Sequence, residues 1–230
     1  MLSPRVFSPA RNPALARIVP FGAFILFIAA ATPLNDLAAQ LPMDPRWWYA
    51  VRMVVVAGLL VWLWRGYVEL GSVRGVRAGD WLLSVVVGVL VFVLWVHLDF
   101  EPLRFADPGG FDARTEGTID WGFALTRLAG AALMVPVMEE LFWRSFVMRW
   151  IEKADFLRVD PKEVGAKALG ISSAIFALEH HLWFAGLLAG FAYGWLYIRT
   201  GNLWVAVLSH GVTNGALGIW ILYTGSWQFW

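Results

Sequence analysis

The sequence predicts an all-α, polytopic transmembrane helix bundle of about seven spans, and three observations carry that prediction. Apolar residues make up 59% of the 230-residue chain and charged residues only 15%, whereas soluble domains are about a quarter charged. The mean hydropathy is +0.62. The apolar residues come in runs near the length a bilayer core requires, about 20 residues, and the charges gather between the runs. The chain, 1–230, reads as a single membrane-embedded domain whose motifs are confined to 121–223.

The first span is expected near 16–35, after Arg5, Arg11 and Arg17. A basic segment before an apolar run also describes a signal peptide, but the run is read here as an uncleaved span. Spans two and three are expected near 47–67 and 80–98, and span four near 121–143. The fifth and sixth, near 166–181 and 183–198, are short and almost touch at His180-His181-Leu182. They are two spans joined by a tight turn or one re-entrant unit. The seventh is expected near 203–223. Trp47, Trp48, Trp81, Trp121, Trp150, Trp204 and Trp227 fall near run ends, as an interfacial aromatic belt requires.

Every second connection is basic: the N-terminal segment, then Arg65, Arg74 and Arg77, then Arg149, Lys153, Arg158, Lys162 and Lys167. The positive-inside rule therefore puts the N-terminus in the cytoplasm. The acidic segment 99–120, broken at Pro108-Gly109-Gly110, falls outside. Segment 144–165 mixes apolar and charged residues and reads as a helix leaving the membrane along its cytoplasmic surface. Gly186, Gly190 and Gly194, and again Gly211 and Gly215, recur at four-residue spacing, which lets helices approach closely in lipid.

Composition also excludes chemistries. The net charge of +1 and the lack of a basic run give no footing for nucleic acid. With no cysteine there is no disulfide, no thiolate metal site, no Cys nucleophile and no prenylation or palmitoylation, and Leu2 replaces the glycine that myristoylation needs. The absence of an internal repeat argues against a transporter.

Three motifs hold ionisable groups inside apolar runs, where such groups are costly and usually functional. In Glu139-Glu140-Leu141-Phe142-Trp143-Arg144, Glu140 and Arg144 are four apart and share a helix face. Glu139 is turned about 100° away. Glu140–Arg144 is therefore expected as a structural clamp and Glu139 as the reactive carboxylate. In Phe176-Ala177-Leu178-Glu179-His180-His181, Phe176 shares the face of His180 and is placed to shield it from water. His210 and Asn214 also share a face and form a plausible cradle for a carbonyl oxyanion. Span four brings Glu139 to its cytoplasmic end and span five brings His180 to its outer end, so they meet only if span five is short or re-entrant. No G-x-S-x-G or S-x-x-K marks a serine nucleophile. The set points to acyl transfer to water, with Glu139 taking a proton from it and His180 helping to orient or deprotonate it.

Glu139-Glu140-x-x-x-Arg144, Phe176-x-x-x-His180 and His210-x-x-x-Asn214, in this order, resemble the three motifs of the CAAX prenyl protease and bacteriocin-processing superfamily (type II CAAX proteases, or Abi proteins). These are intramembrane endopeptidases. The resemblance implies that Glu139 and His180 activate water, that His210 and Asn214 form the oxyanion site, and that Glu140 and Arg144 support them. It gives His181 no role. It implies membrane lipid and a membrane-anchored, prenylated or C-terminal sorting peptide as partners. A non-catalytic scaffold or immunity protein on the same fold is the alternative. The run Val135–Arg144 also resembles a bacterial subgroup found with exosortase and PEP-CTERM systems, which implies a prokaryotic inner membrane. No cofactor and no metal is expected. Zinc is the alternative, but H-E-x-x-H is absent and a metal site would leave Asn214 without a task.

Overall fold

Helix α1 (Pro13–Ala29) starts where Asn12 accepts hydrogen bonds from the backbone N–H of Ala14 and Leu15, with Pro13 at the first helical position. The computed structural model describes residues 12–105 and 109–230. Leu2, Arg5, Arg11, Asp107 and Pro108, which entered the reading of topology and modification, lie outside the described residues. The chain bends by 64° into α2 (Ala31–Gln40). Helices α3 (Trp47–Leu63) and α4 (Ala78–His97) follow. A two-residue hairpin, β1 (Arg114–Thr115) and β2 (Thr118–Ile119), interrupts the loop before α5. Asp120 caps α5 (Trp121–Glu152), the longest helix at 32 residues. The bundle closes with α6 (Ala166–Ala177), α7 (Trp183–Thr200) and α8 (Leu203–Thr224).

The architecture is the expected all-α membrane bundle. Helical segments fall on all seven stretches named above, with α1 and α2 sharing the first. Four of them are long and apolar enough to cross a membrane, and the bent α1–α2 pair makes a fifth. Helix α6 has only 12 residues, short of the roughly 17 a span needs. Exposed Leu26, Val54, Val61, Leu82, Leu133 and Ile219 give the outer surface the apolar character that lipid, and not water, solvates.

Two expectations are corrected. The helix leaving span four ends at Glu152, and 153–165 carries only two short 3₁₀ turns, with Phe156 buried. Asp160 and Pro161 start the second turn, and Lys153, already extended, stops the helix. Not all of the tryptophans form an interfacial belt: Trp227 is buried against Trp230, and Trp204 is half-buried, donating to the Leu70 carbonyl.

A buried ion cluster ties the N-terminal helices to the end of α5. Glu69 pairs with Arg17 of α1 and, at 3.1 Å, with Arg149 of α5, and Ser145 bonds the same carboxylate. Burial alone pushes the Glu69 carboxyl up, but its bonds to Arg17 and Ser145 bring it below the usual carboxylate value.

The glycine stripes sit where helices touch. Gly186, Gly190 and Gly194 of α7 face α6, and a Cβ at Gly190 would lie 2.9 Å from the Ser173 Cα. Gly211 of α8 faces the Ala132 carbonyl of α5, where a Cβ would come within 2.8 Å. Gly190→Val is therefore expected to lower stability by about 1–3 kcal/mol through overpacking. Thermal unfolding of the purified protein checks this, and an unchanged midpoint would contradict the α6–α7 packing.

Candidate active site

The motif helix α5 is not uniformly α-helical. It carries π turns at Gly130–Met134 and Leu141–Met148, and Val135–Glu140 is the α-helical stretch between them. Such widened turns re-aim side chains and are frequent at functional sites. The first has a cause in the sequence. The Val135 N–H already bonds the Gly130 carbonyl five residues back. The next donor in that register would be Pro136, which has no N–H. The Ala131 carbonyl instead accepts a 2.9 Å bond from Asn214 Nδ2 on α8.

Glu140 is fully buried. One carboxylate oxygen lies 2.9 Å from His210 Nδ1 and the other 3.1 Å from Arg144 Nε. The Arg144 guanidinium stacks 4.3 Å from the Phe176 ring centre. Its terminal nitrogens make no hydrogen bond among the described residues, so Glu140 is its counter-charge by ion pairing and not by a bidentate fork. Glu139 is also buried but points elsewhere, and its Oε2 has no hydrogen-bond partner among the described residues.

His180 reaches the same depth because α6 stops early. The last carbonyls of a helix lack intrahelical partners. The Phe176 carbonyl accepts from His180 Nδ1 at 2.9 Å as the chain turns back at 178–182. With this helix short, His180 and Glu139 line one cavity. The imidazole packs against the Phe176 ring (4.5 Å between centres) and the edge of Trp95 from α4 (5.3 Å).

Glu139, His180, His210, Asn214 and Phe176 all line one cavity of about 350 Å³. The first four meet across this space and not by direct contact. Both histidines spend Nδ1–H on an acceptor, a carbonyl for His180 and a carboxylate for His210. Nε2 is then the nitrogen each ring has left, and in the neutral form it offers a lone pair. A hydrogen bond donated from His210 Nε2 requires the doubly protonated ring, whose charge would add to that of Arg144 at the single Glu140 carboxylate.

Other residues of the cavity carried no assignment from sequence. Glu179 reaches its wall and accepts a 3.0 Å bond from Trp143 Nε1. Its place beside His180 was the available signal. Tyr193 of α7 stacks on His210, 4.9 Å between centres and 17° from parallel, and donates to Thr213 at 2.7 Å. Trp95 and Tyr193 have no motif signal, since distant helices bring them in. His181 also lines the cavity.

Among the described residues no three His, Asp or Glu side chains are arranged to hold a metal ion. Glu140 is held by Arg144 and His210, while each histidine keeps its second ring nitrogen open.

Residues 120–216 match the family model described as type II CAAX prenyl endopeptidase, Rce1-like. No curated protein and no solved structure matches the chain. The matched segment holds Glu139, Glu140, Arg144, Phe176, His180, His210 and Asn214, and it excludes α1 to α4. The family's description names a prenyl endopeptidase. Segment 120–216 is thus similar to that family, and the apolar helices of the chain are those of an integral membrane protein.

Proposed function

We propose that the protein is an intramembrane endopeptidase that hydrolyses a peptide bond in a membrane-anchored, prenylated or C-terminal sorting peptide. The observation that carries this reading is the shared cavity of Glu139, His180, His210 and Asn214, with each histidine held through Nδ1. Glu139 accepts a proton from water while the His180 Nε2 lone pair orients it. The water oxygen attacks the peptide carbonyl carbon. The second N–H of the Asn214 amide donates to the oxyanion, and His210, held by Glu140, completes the oxyanion site. The proton held by Glu139 then passes to the leaving amine as the C–N bond breaks. Arg144 and Glu140 act as positioning residues, and Phe176 limits water at His180. No metal takes part in this scheme.

In this reading the membrane is a prokaryotic inner membrane and the N-terminus is cytoplasmic, which the basic connections at Arg65–Arg77 and Arg149–Lys167 support.

The test uses the full chain in lipid nanodiscs with quenched membrane peptides, some prenylated, and identifies products by mass spectrometry. Wild type is expected to cut, to keep cutting with a zinc chelator, and to lose the activity with His180→Ala. Equal product from wild type and His180→Ala would sink the endopeptidase assignment. Loss with chelator and recovery with zinc would replace direct water activation by a metal mechanism.

A further inference from the structure

The cavity extends well beyond Glu139. Arg127 lies roughly 18 Å earlier along α5 and lines the same space, as does Tyr49 of α3. Both also line an adjoining cavity of about 480 Å³ that has Arg52 of α3 in its wall. The two spaces therefore adjoin at Tyr49 and Arg127.

Arg52 and Arg127 flank one aromatic ring. Their guanidinium carbons lie 4.9 and 4.4 Å from the Tyr49 centre, and their outer faces stack on Phe24 (4.5 Å) and Phe111 (5.5 Å). Stacking covers the faces of a guanidinium but does not supply acceptors for its in-plane N–H groups. The Nε of each is buried and unpartnered among the described residues. The two cations also repel each other. Arg46, on the same wall, differs: it is bound to Asp44 and to the carbonyls of Asp112 and Arg114. Among the described residues no carboxylate pairs with Arg52 or Arg127. Two unpaired cations within membrane helices need a counter-anion, and planar forked donors suit a carboxylate.

We propose that Arg52 and Arg127 form an anion subsite that binds a carboxylate of the substrate peptide, either its C-terminus or an acidic side chain. This rests on the endopeptidase reading above. Peptide is favoured over lipid because Arg127 stands on the wall shared with Glu139 and not only on the outer surface. An extended peptide rises about 3.3 Å per residue, so the bound carboxylate lies within about five residues of the scissile bond. The subsite belongs to α3 and the first turns of α5, so α3 joins the matched segment in selecting substrate.

The test measures binding to the full-length Glu139→Gln protein in phosphatidylcholine nanodiscs, which separates recognition from cleavage. Three hydrophobic peptides of one sequence are compared: a C-terminal acid, a C-terminal amide, and an amide with a penultimate Glu. One carboxylate peptide is expected to bind about tenfold more tightly than the plain amide, and which one gains identifies the source. Arg52→Gln and Arg127→Gln are expected to erase the difference. Equal binding of all three peptides overturns the proposal even if a variant fails to fold, and so does a preference that survives in both variants. A preference abolished by phosphatidylglycerol would give the subsite to a lipid headgroup and overturn the peptide assignment. If the protein cuts no peptide but keeps the carboxylate preference, the endopeptidase reading fails and the subsite stands.

Discussion

Glu139→Gln is expected to lower kcat by about 10²–10⁴-fold, the usual contribution of a positioned acid–base group, with little change in KM. Glutamine keeps the shape and size of the side chain while removing its ability to take a proton. Glu139 lines the cavity with one carboxylate oxygen unpartnered among the described residues, so no structural pair is broken by the change. Stability should therefore hold or rise slightly, because a buried carboxylate with one unpartnered oxygen is replaced by a neutral amide. Kinetics on the peptide substrate and an unfolding curve on the same preparation check both halves. Full activity in Glu139→Gln would remove Glu139 as the general base of the scheme.

Glu140→Ala is expected to act in the opposite way, as a loss of stability of about 3–5 kcal/mol. The carboxylate is fully buried and holds two groups at once, Arg144 at 3.1 Å and His210 at 2.9 Å. Its removal leaves the Arg144 guanidinium buried without a counter-charge, and the terminal nitrogens of that group have no other hydrogen bond to fall back on. Replacing both partners by apolar residues, Glu140→Met with Arg144→Met, should recover much of the loss, since a buried ion pair contributes little net stability over a well-packed apolar pair. Unfolding of Glu140→Met, Arg144→Met and the double variant closes the cycle. A double variant as unstable as the sum of the singles would show that the two residues act independently.

These outcomes separate two adjacent glutamates that look alike in sequence. Helical spacing alone paired Glu140 with Arg144 and turned Glu139 away, because four residues is close to one turn. It did not reveal that Glu140 also holds His210. That contact joins α5 to α8 across 70 positions, and no local period encodes it. The joint of Asn214 to Ala131 is half legible. Pro136 marks where a donor is missing, but only the folded chain says which side chain fills the gap. Arg52 and Arg127 read from sequence as unremarked charges in apolar runs, and their shared ring at Tyr49 appears only when α3 packs on α5.

The sequence by itself determined the helical membrane class, the stretches that become helices, the glycine contacts and the ordered motifs. Those properties depend on composition and on periods of a few residues. The tertiary structure decided the early stop of α6 and the π turns of α5. It also decided the anchoring of each histidine through Nδ1 and the second cavity behind Arg127. Each of these depends on partners far apart in the chain, whose burial and hydrogen bonding exist only after the helices have packed.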